Sequence, residues 1–412
     1  MNWIINSLLD TDFYKFTMGQ LVFLKYANTP IRNVFICRTK NVWLSDFIDI
    51  EELRRELDHG RDIRVNNSEL HYLRGTNEYQ DRMFGEGYLR FLGDLRLPPY
   101  HLEKGPNGQI VIEVRGSWSE VIYWETFILS IVNELYYRRL MSKLSPFGQE
   151  LVFAEGRIRL KKKLEALAER PAISFTDFGT RRRFSREWQD YVVGVLAKEL
   201  PGTQFRGTSN VFLAMKHGLL PMGTAAHEMF MISSGIHHGS DEEILASHRL
   251  ALDDWWKQYG YGLSIALTDT YGTDFFFRDM TAEQAKNWKG FRQDSGDPIQ
   301  FGEKAVAFYR KHGIDPKDKM IVFSDGLDVQ TMVKIHDHFA GRIHVTFGWG
   351  TNLTNDLGLA PLSLVVKPVE ACGNGLVKLS DNLAKAIGKP EDIERFKKIF
   401  GYTSADYKEC RY

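Results

Sequence analysis

Short apolar runs recur between residues 173 and 373, each ending in acidic, basic, hydroxyl or glycine residues and most followed by an amphipathic stretch. They occupy 173–180, 204–210, 221–227, 263–270, 290–297, 320–328, 344–352 and 364–368. Continuous apolar runs are the mark of parallel strands buried on both faces, and strands alternating with helical patterns imply βαβ units. The eight runs predict an α/β barrel, with uneven units and incomplete closure. Sites of such barrels are built from the loops at the carboxyl ends of the strands, so the polar endings read as a catalytic rim.

The first part of the chain has a different texture. Residues 33–38 and 109–115 read as strands, separated by charged, aromatic-rich segments such as 66–92. A long amphipathic helix is predicted over 119–140, with Val121, Ile122, Phe127, Ile128, Ile131, Val132 and Leu135 at near-helical spacing. The Ser-Pro-Phe-Gly of 145–148 reads as a break. The expected organisation is therefore an N-terminal α/β domain over 1–147, a barrel-like catalytic domain over 148–375, and a tail over 376–412 packing back on the N-terminal domain. Helix starts are written at 240–243 and 281–284 as capping boxes, and at Asp297-Pro298 as a cap before a first-turn proline. Gly313 and Gly341 stand where left-handed C-terminal stops are expected.

The bulk numbers narrow the class. The 412 residues carry 53 basic and 53 acidic side chains and are 43% hydrophobic, ample for a large core. A zero net charge argues against a nucleic-acid binder. Cys37, Cys372 and Cys410 are too scattered for a disulfide or zinc framework, which suits a reducing, cytoplasmic setting. The N-terminus lacks a basic region before its short apolar stretch. No window approaches the roughly 18 apolar residues that span a bilayer.

Several endings carry candidate chemistry. Arg292, Asp294 and Asp297 surround a Ser-Gly turn that opens a helix; two carboxylates there suit ribose hydroxyls or a magnesium ion, and an ordinary capped helix start is the bland alternative. The turns at 324–328, with Gly326 and Asp328, and at 347–352, with Gly350 and Thr351, offer backbone amides for phosphate, or are simply turns. No Walker loop occurs. Phe178 precedes Arg181, Arg182 and Arg183, so a ring that stacks on a flat substrate beside an anion-binding guanidinium is one reading, and a core Phe before a charged helix start is the other. His227 follows a run of small residues. Taken alone, it reads as a satisfied structural histidine more readily than as a catalyst, and no zinc pattern accompanies it or His237 and His238.

Seven segments together resemble the nicotinate phosphoribosyltransferase family, in its bacterial form, over essentially the whole chain. They are Thr-Asp-Phe-Tyr-Lys-Phe-Thr-Met at 11–18, Phe-Thr-Asp-Phe-Gly-Thr-Arg-Arg at 175–182 and Phe-Arg-Gly-Thr-Ser-Asn at 205–210. Gly-Thr-Ala-Ala-His-Glu at 223–228, Leu-Thr-Asp-Thr-Tyr-Gly at 267–272, Phe-Arg-Gln-Asp-Ser-Gly-Asp-Pro at 291–298 and Phe-Gly-Trp-Gly-Thr-Asn at 347–352 complete the set.

The resemblance implies an N-terminal α/β domain contributing to a homodimer interface and an irregular α/β barrel. It also implies transfer of phosphoribose from phosphoribosyl pyrophosphate to nicotinate, with ATP as co-substrate and Mg2+ as cofactor. Tyr14 and Phe178 would sandwich the pyridine ring, Tyr14 reaching the partner's site, with Thr224 and Arg292 as further substrate contacts. Thr351 would hold the sugar phosphate. His227 falls on the histidine that the family phosphorylates, which reverses its bland reading. Asp294, Asp297 or Asp269 would orient the ribose hydroxyls or the metal, with Arg182, Gly326, Asp328 and Gly350 on the phosphoribosyl side. No metal ligand set is assigned.

Relatives that use nicotinamide carry an aspartate where Ser209 stands, and a neutral Ser209 suits a carboxylate substrate. The rival readings are a nicotinamide or quinolinate phosphoribosyltransferase, a catalytically silent pyridine-nucleotide sensor, and a barrel aldolase with Lys367 as its Schiff-base lysine.

Overall fold

The computed structural model describes residues 3–78, 80–105 and 108–404; Cys410 lies outside them. Thirteen strands are present among the described residues. In chain order they are β1 (Pro30–Cys37), β2 (Asn77–Glu78), β3 (Asp81–Arg82), β4 (Tyr100–Lys104), β5 (Ile110–Ser117), β6 (Phe175–Asp177) and β7 (Phe205–Thr208). Then come β8 (Ile265–Leu267), β9 (Gly290–Gln293), β10 (Met320–Phe323), β11 (His344–Trp349), β12 (Leu364–Ala371) and β13 (Asn374–Gly375).

Two sheets carry the fold. Strands β13-β12-β1-β5-β4 form an antiparallel sheet, and β7-β6-β11-β10-β9-β8 a parallel one. The order of the second sheet is that of a barrel opened between β7 and β8. In β5, Ile110, Ile112 and Val114 alternate into the core, as a strand with one covered face should.

The barrel expectation holds in its incomplete form, with two of the eight runs placed elsewhere. The run at 364–368 belongs to the antiparallel sheet, where Val365 pairs with Ile36 and Lys367 with Val34. It is continuously buried because the helices Trp124–Ser142 and His227–Ile236 both pack on β12. Burial of a strand on two faces yields the same apolar run in either sheet type. The run at 221–227 forms no strand. Proline has no amide to donate to a ladder, and Pro221 makes one isolated bridge to Thr208 before the chain continues as an extended link to the helix His227–Ile236. This link lies at the open side of the barrel, and Thr17 Oγ1 donates to Thr224 O at 2.8 Å.

The helix expected over 119–140 exists as two pieces, Trp118–Val121 and Trp124–Ser142, joined through buried Ile122 and Tyr123. Thr281 and Gln284 form a full capping box. Ser240 accepts from the Glu243 amide, but the glutamate side chain turns to the Gly239 amide instead of completing the box. Gly313 and Gly341 adopt φ of +68° and +70° at their helix ends, as a left-handed stop requires.

The tail meets both halves of the molecule, and Arg38 Nη2 of the N-terminal part donates to Lys385 O at 3.1 Å. The tail also runs along the parallel-sheet half: Leu379 N donates to Thr270 O at 2.8 Å, Phe400 stacks on Tyr271, and the helix Pro390–Ile399 packs on the helix Asp241–Tyr259. No helix among the described residues is long and apolar enough to cross a membrane.

Candidate active site

His227 opens the helix His227–Ile236, whose N-cap Ala226 supplies no side-chain acceptor, so the first-turn amides and the positive end of the dipole lie beside the imidazole. The ring is buried. Its Nδ1 lies 3.0 Å from Thr270 Oγ1 and its Nε2 3.0 Å from Asp294 Oδ2, with Asp269 Oδ1 at 3.8 Å. Burial, reinforced by the Lys378 ammonium, lowers its pKa to about 4 against the pull of Asp269 and Asp294. The imidazole is therefore neutral near pH 7. In that form Nε2–H donates to Asp294 and Nδ1 accepts from the Thr270 hydroxyl.

The two carboxylates stay ionised. Burial alone would raise Asp294, but Arg292, the hydrogen bond to His227 and Lys385 hold it well below the usual range. Asp269 is likewise lowered by His227 and Lys378 against its burial. Asp269 Oδ2 accepts from Ser295 Oγ at 2.5 Å and Ser380 Oγ at 3.2 Å, whereas its Oδ1 has no hydrogen-bond partner. His227, Asp269 and Asp294 are the one group among the described residues with ligand atoms close enough to share a metal ion.

This cluster faces a cleft. One wall is aromatic: Tyr14, buried, and Phe178, whose ring lies over Gly348. Arg181 sits 5.5 Å over the Tyr14 ring and pairs with Asp12 at 3.3 Å. The lining also carries Arg38, Arg182, Lys378 and Lys385 together with the turns at Gly326 and Gly350–Thr351. Gly326 has a φ of +58°, a conformation that glycine adopts without a Cβ penalty. Burial lowers Lys378 to about 8, with Asp269 and Asp294 opposing the shift.

Tyr14, Phe178, Arg182, His227, Arg292, Asp294, Gly326, Gly350 and Thr351 thus line one cleft, with Asp269 directly behind His227. Besides Asp269, four expected residues do not line it. Ser209 lies one layer back, donating to Asp12 Oδ1 at 2.7 Å. Thr224 is half-buried in the link and accepts from Thr17 through its carbonyl. Asp297 and Asp328 each spend an oxygen capping a helix, on Gln300 N at 2.8 Å and Thr331 N at 2.7 Å. Among the three consecutive arginines, Arg181 and Arg182 reach the cleft. Arg183 is wholly buried on Asp10, with contacts of 2.6 and 2.8 Å.

Arg38, Lys378, Lys385 and Asp325 also line the cleft, beyond the residues expected from sequence. Arg38 follows a strand of the other sheet, and the two lysines lie on the segment between β13 and the last helix, outside the strand-end phrase. Lys367 lines the cleft and donates to Glu125 at 3.2 Å, where burial lowers its pKa against the pull of that carboxylate.

A neutral histidine beside two carboxylates, opening into a cleft of cations and glycine turns with one aromatic wall, defines an enzyme that handles phosphorylated anions with a flat acceptor. Comparison with known proteins agrees. The nicotinate phosphoribosyltransferase (NAPRTase) family matches residues 173–404, and the NAPRTase N-terminal domain matches 9–133. The chain is similar to a nicotinate phosphoribosyltransferase from Porphyromonas gingivalis (34% identity, 97% of this chain and 100% of that one, TM-score 0.85). It is equally similar to one from Vibrio cholerae (33%, 98% and 95%, TM-score 0.86). A putative nicotinate phosphoribosyltransferase from Saccharomyces cerevisiae follows at 28% identity, with 98% and 100% covered and a TM-score of 0.83. The chain belongs to the nicotinate phosphoribosyltransferase family.

Proposed function

We propose that the chain transfers phosphoribose from phosphoribosyl pyrophosphate to nicotinate, releasing nicotinate mononucleotide and pyrophosphate for NAD salvage. ATP hydrolysis is coupled through a phosphohistidine at His227. The observation that carries this reading is His227 itself, held neutral between Thr270 and Asp294 at a helix N-terminus and facing the same cleft as Tyr14 and Phe178.

A neutral imidazole is nucleophilic, and Asp294 orients the ring and offsets the charge that develops on it during phosphoryl transfer. The helix amides then face the phosphoryl group. Tyr14 and Phe178 hold the pyridine ring flat, so that its nitrogen needs positioning and no deprotonation. Positioning of this kind is worth up to roughly 7–11 kcal/mol of barrier. Arg292, Arg181 and Lys367 near the aromatic wall favour a carboxylate over a carboxamide. Arg38, Arg182, Lys378, Lys385 and the turns at Gly326, Gly350 and Thr351 suit the phosphates, and Asp297 and Asp328 stand behind them as helix caps.

The unpartnered Oδ1 of Asp269 and the Asp294 carboxylate fit a hard divalent cation such as Mg2+, which prefers carboxylate oxygens. When bound, that ion would supply charge neutralisation for the departing pyrophosphate.

A homodimer is part of the proposal. Phe147, Leu151 and Ile158 form an exposed apolar stripe along the helix Pro146–Ala168, at helical spacing, with exposed Leu144 just before it, and such a face calls for a partner. Leu151→Glu is expected to shift sedimentation toward the monomer; an unchanged profile would remove this face from the interface.

Two expectations bear on the walls. A Cβ at Gly348 would lie 2.4 Å from Phe178 Cδ2. Gly348→Ala therefore displaces the ring and should raise the nicotinate KM roughly tenfold, or about 1.4 kcal/mol, with little effect on the phosphoribosyl pyrophosphate KM. Lys378 is protonated below about 8 and neutral above it. The kcat/KM for phosphoribosyl pyrophosphate should therefore fall as pH rises through about 8, and Lys378→Arg, whose guanidinium stays charged, should flatten that limb. The direct test of the function is product analysis: nicotinate mononucleotide, pyrophosphate and ADP should appear together, and their absence would end the reading.

A further inference from the structure

Three groups lining the cleft converge on one buried carboxylate behind it. Tyr14 Oη donates to Glu125 Oε2 at 3.1 Å, Lys367 Nζ donates to Oε1 at 3.2 Å, and Arg181 Nη1 lies 3.6 Å from Oε1. Lys15, fully enclosed, lies 2.6 Å from Glu125 Oε2 and 2.6 Å from Glu228 Oε2. The other oxygen of Glu228 accepts from Trp118 Nε1 at 2.7 Å. Glu228 follows His227 in the first turn of its helix. A continuous row of buried contacts thus runs from the residue next to His227 to the aromatic and cationic wall of the cleft.

The electrostatics make this row stiff. Lys15, Lys367 and Arg181 face Glu125, Glu228 and Asp12, three charges of each sign in a largely buried setting where only Arg181 keeps appreciable exposure to the cleft. Burial alone would raise Glu125, yet Lys15, Lys367 and Arg181 hold it well below the usual carboxylate range. Phosphorylation of His227 would add about two negative charges one residue from Glu228. Any displacement of Glu228 is followed by Lys15, which alters how Glu125 shares its oxygens among Lys15, Tyr14, Lys367 and Arg181.

We infer that Glu228–Lys15–Glu125 is a positioning row that carries the phosphorylation state of His227 to the wall that binds nicotinate. It rests on the phosphohistidine reading above and adds to it that the phosphorylation state changes nicotinate affinity by this route. Lys15, Glu125 and Glu228 do not line the cleft, so they act through Tyr14, Lys367 and Arg181.

The test uses Glu228→Gln, Lys15→Met and Lys15→Arg in the full chain, with acid-labile phosphate on His227 and the nicotinate KM measured with and without ATP. Wild type should label and show a lower KM with ATP. Glu228→Gln and Lys15→Met should label to the wild-type extent while losing most of the ATP effect, by at least about fivefold. The ATP-free KM should hold within about twofold, and Lys15→Arg should recover part of the ATP effect.

A variant ratio equal to wild type overturns the inference. So does a parallel rise of both KM values, which marks a merely structural role, or a loss of labelling. If Lys15→Met does not fold, Glu228→Gln and Lys15→Arg decide alone. If wild type itself neither labels nor responds to ATP, the phosphohistidine reading has failed, which is a separable result.

Discussion

His227→Asn is expected to abolish the acid-labile phosphoenzyme and to cut ATP hydrolysis by at least ~10³-fold, while leaving phosphoribosyl transfer at the level seen without ATP. The substitution removes the nucleophilic ring at the helix N-terminus but retains a polar side chain that can bond Thr270 or Asp294, so the surrounding network keeps a partner. Labelling with γ-phosphate-tagged ATP, followed by turnover assays with and without ATP, reads both effects. Retention of full ATP-stimulated turnover would contradict the role given to His227.

Asp294→Asn should be broader in effect, lowering both ATP hydrolysis and ATP-free transfer by about 10²–10⁴-fold. This carboxylate bonds His227 Nε2, accepts from Ser324 Oγ at 3.1 Å and lies 3.6 Å from Arg292, so it serves both the histidine and the rim. Asparagine keeps the shape and removes the charge that orients the ring and faces the cation site. Steady-state kinetics of the two half-processes separate it from His227→Asn. The neighbouring Asp297→Asn supplies the contrast: Asp297 caps a helix outside the cleft, and the amide caps nearly as well, so both activities should stay within a few-fold of wild type.

Much of the fold was legible because its strands obey simple burial. Runs such as 265–267 and 320–323 are short and apolar, and each became a strand of the parallel sheet. The two misplacements have different causes. The run at 364–368 is apolar because every residue of it is buried, with two helices packed on β12, and apolar patterning does not distinguish which sheet a strand joins. The run at 221–227 carries a proline and small residues that suit a close-packed link as well as a strand, and the link is what delivers His227.

The site was legible where chemistry sits at strand ends. Phe178, Arg292, Asp294, Gly350 and Thr351 all follow apolar runs and all face the cleft or its rim. Arg38, Lys378 and Lys385 were invisible because a lone cation on a strand end or tail has no local signature; only the fold carries those segments to the rim. Glu125 was hidden more deeply. In sequence it is one polar position on an apolar helix, and its role lies in burial beside Lys15, Lys367 and Tyr14. The roles of Arg181, Arg182 and Arg183 separate only in three dimensions, where Asp10 encloses Arg183 and leaves its two neighbours at the cleft.

The central claim, ATP-coupled transfer to nicotinate in this cleft, meets its most direct test in a substrate competition. Purified full-length protein is given phosphoribosyl pyrophosphate, ATP and Mg2+ with nicotinate, nicotinamide and quinolinate singly and in mixture, and mononucleotide and ADP are measured together. Nicotinate should be consumed selectively, with ADP forming in step with product. Preference for nicotinamide or quinolinate, or product formation that ATP neither accompanies nor stimulates, would contradict the account.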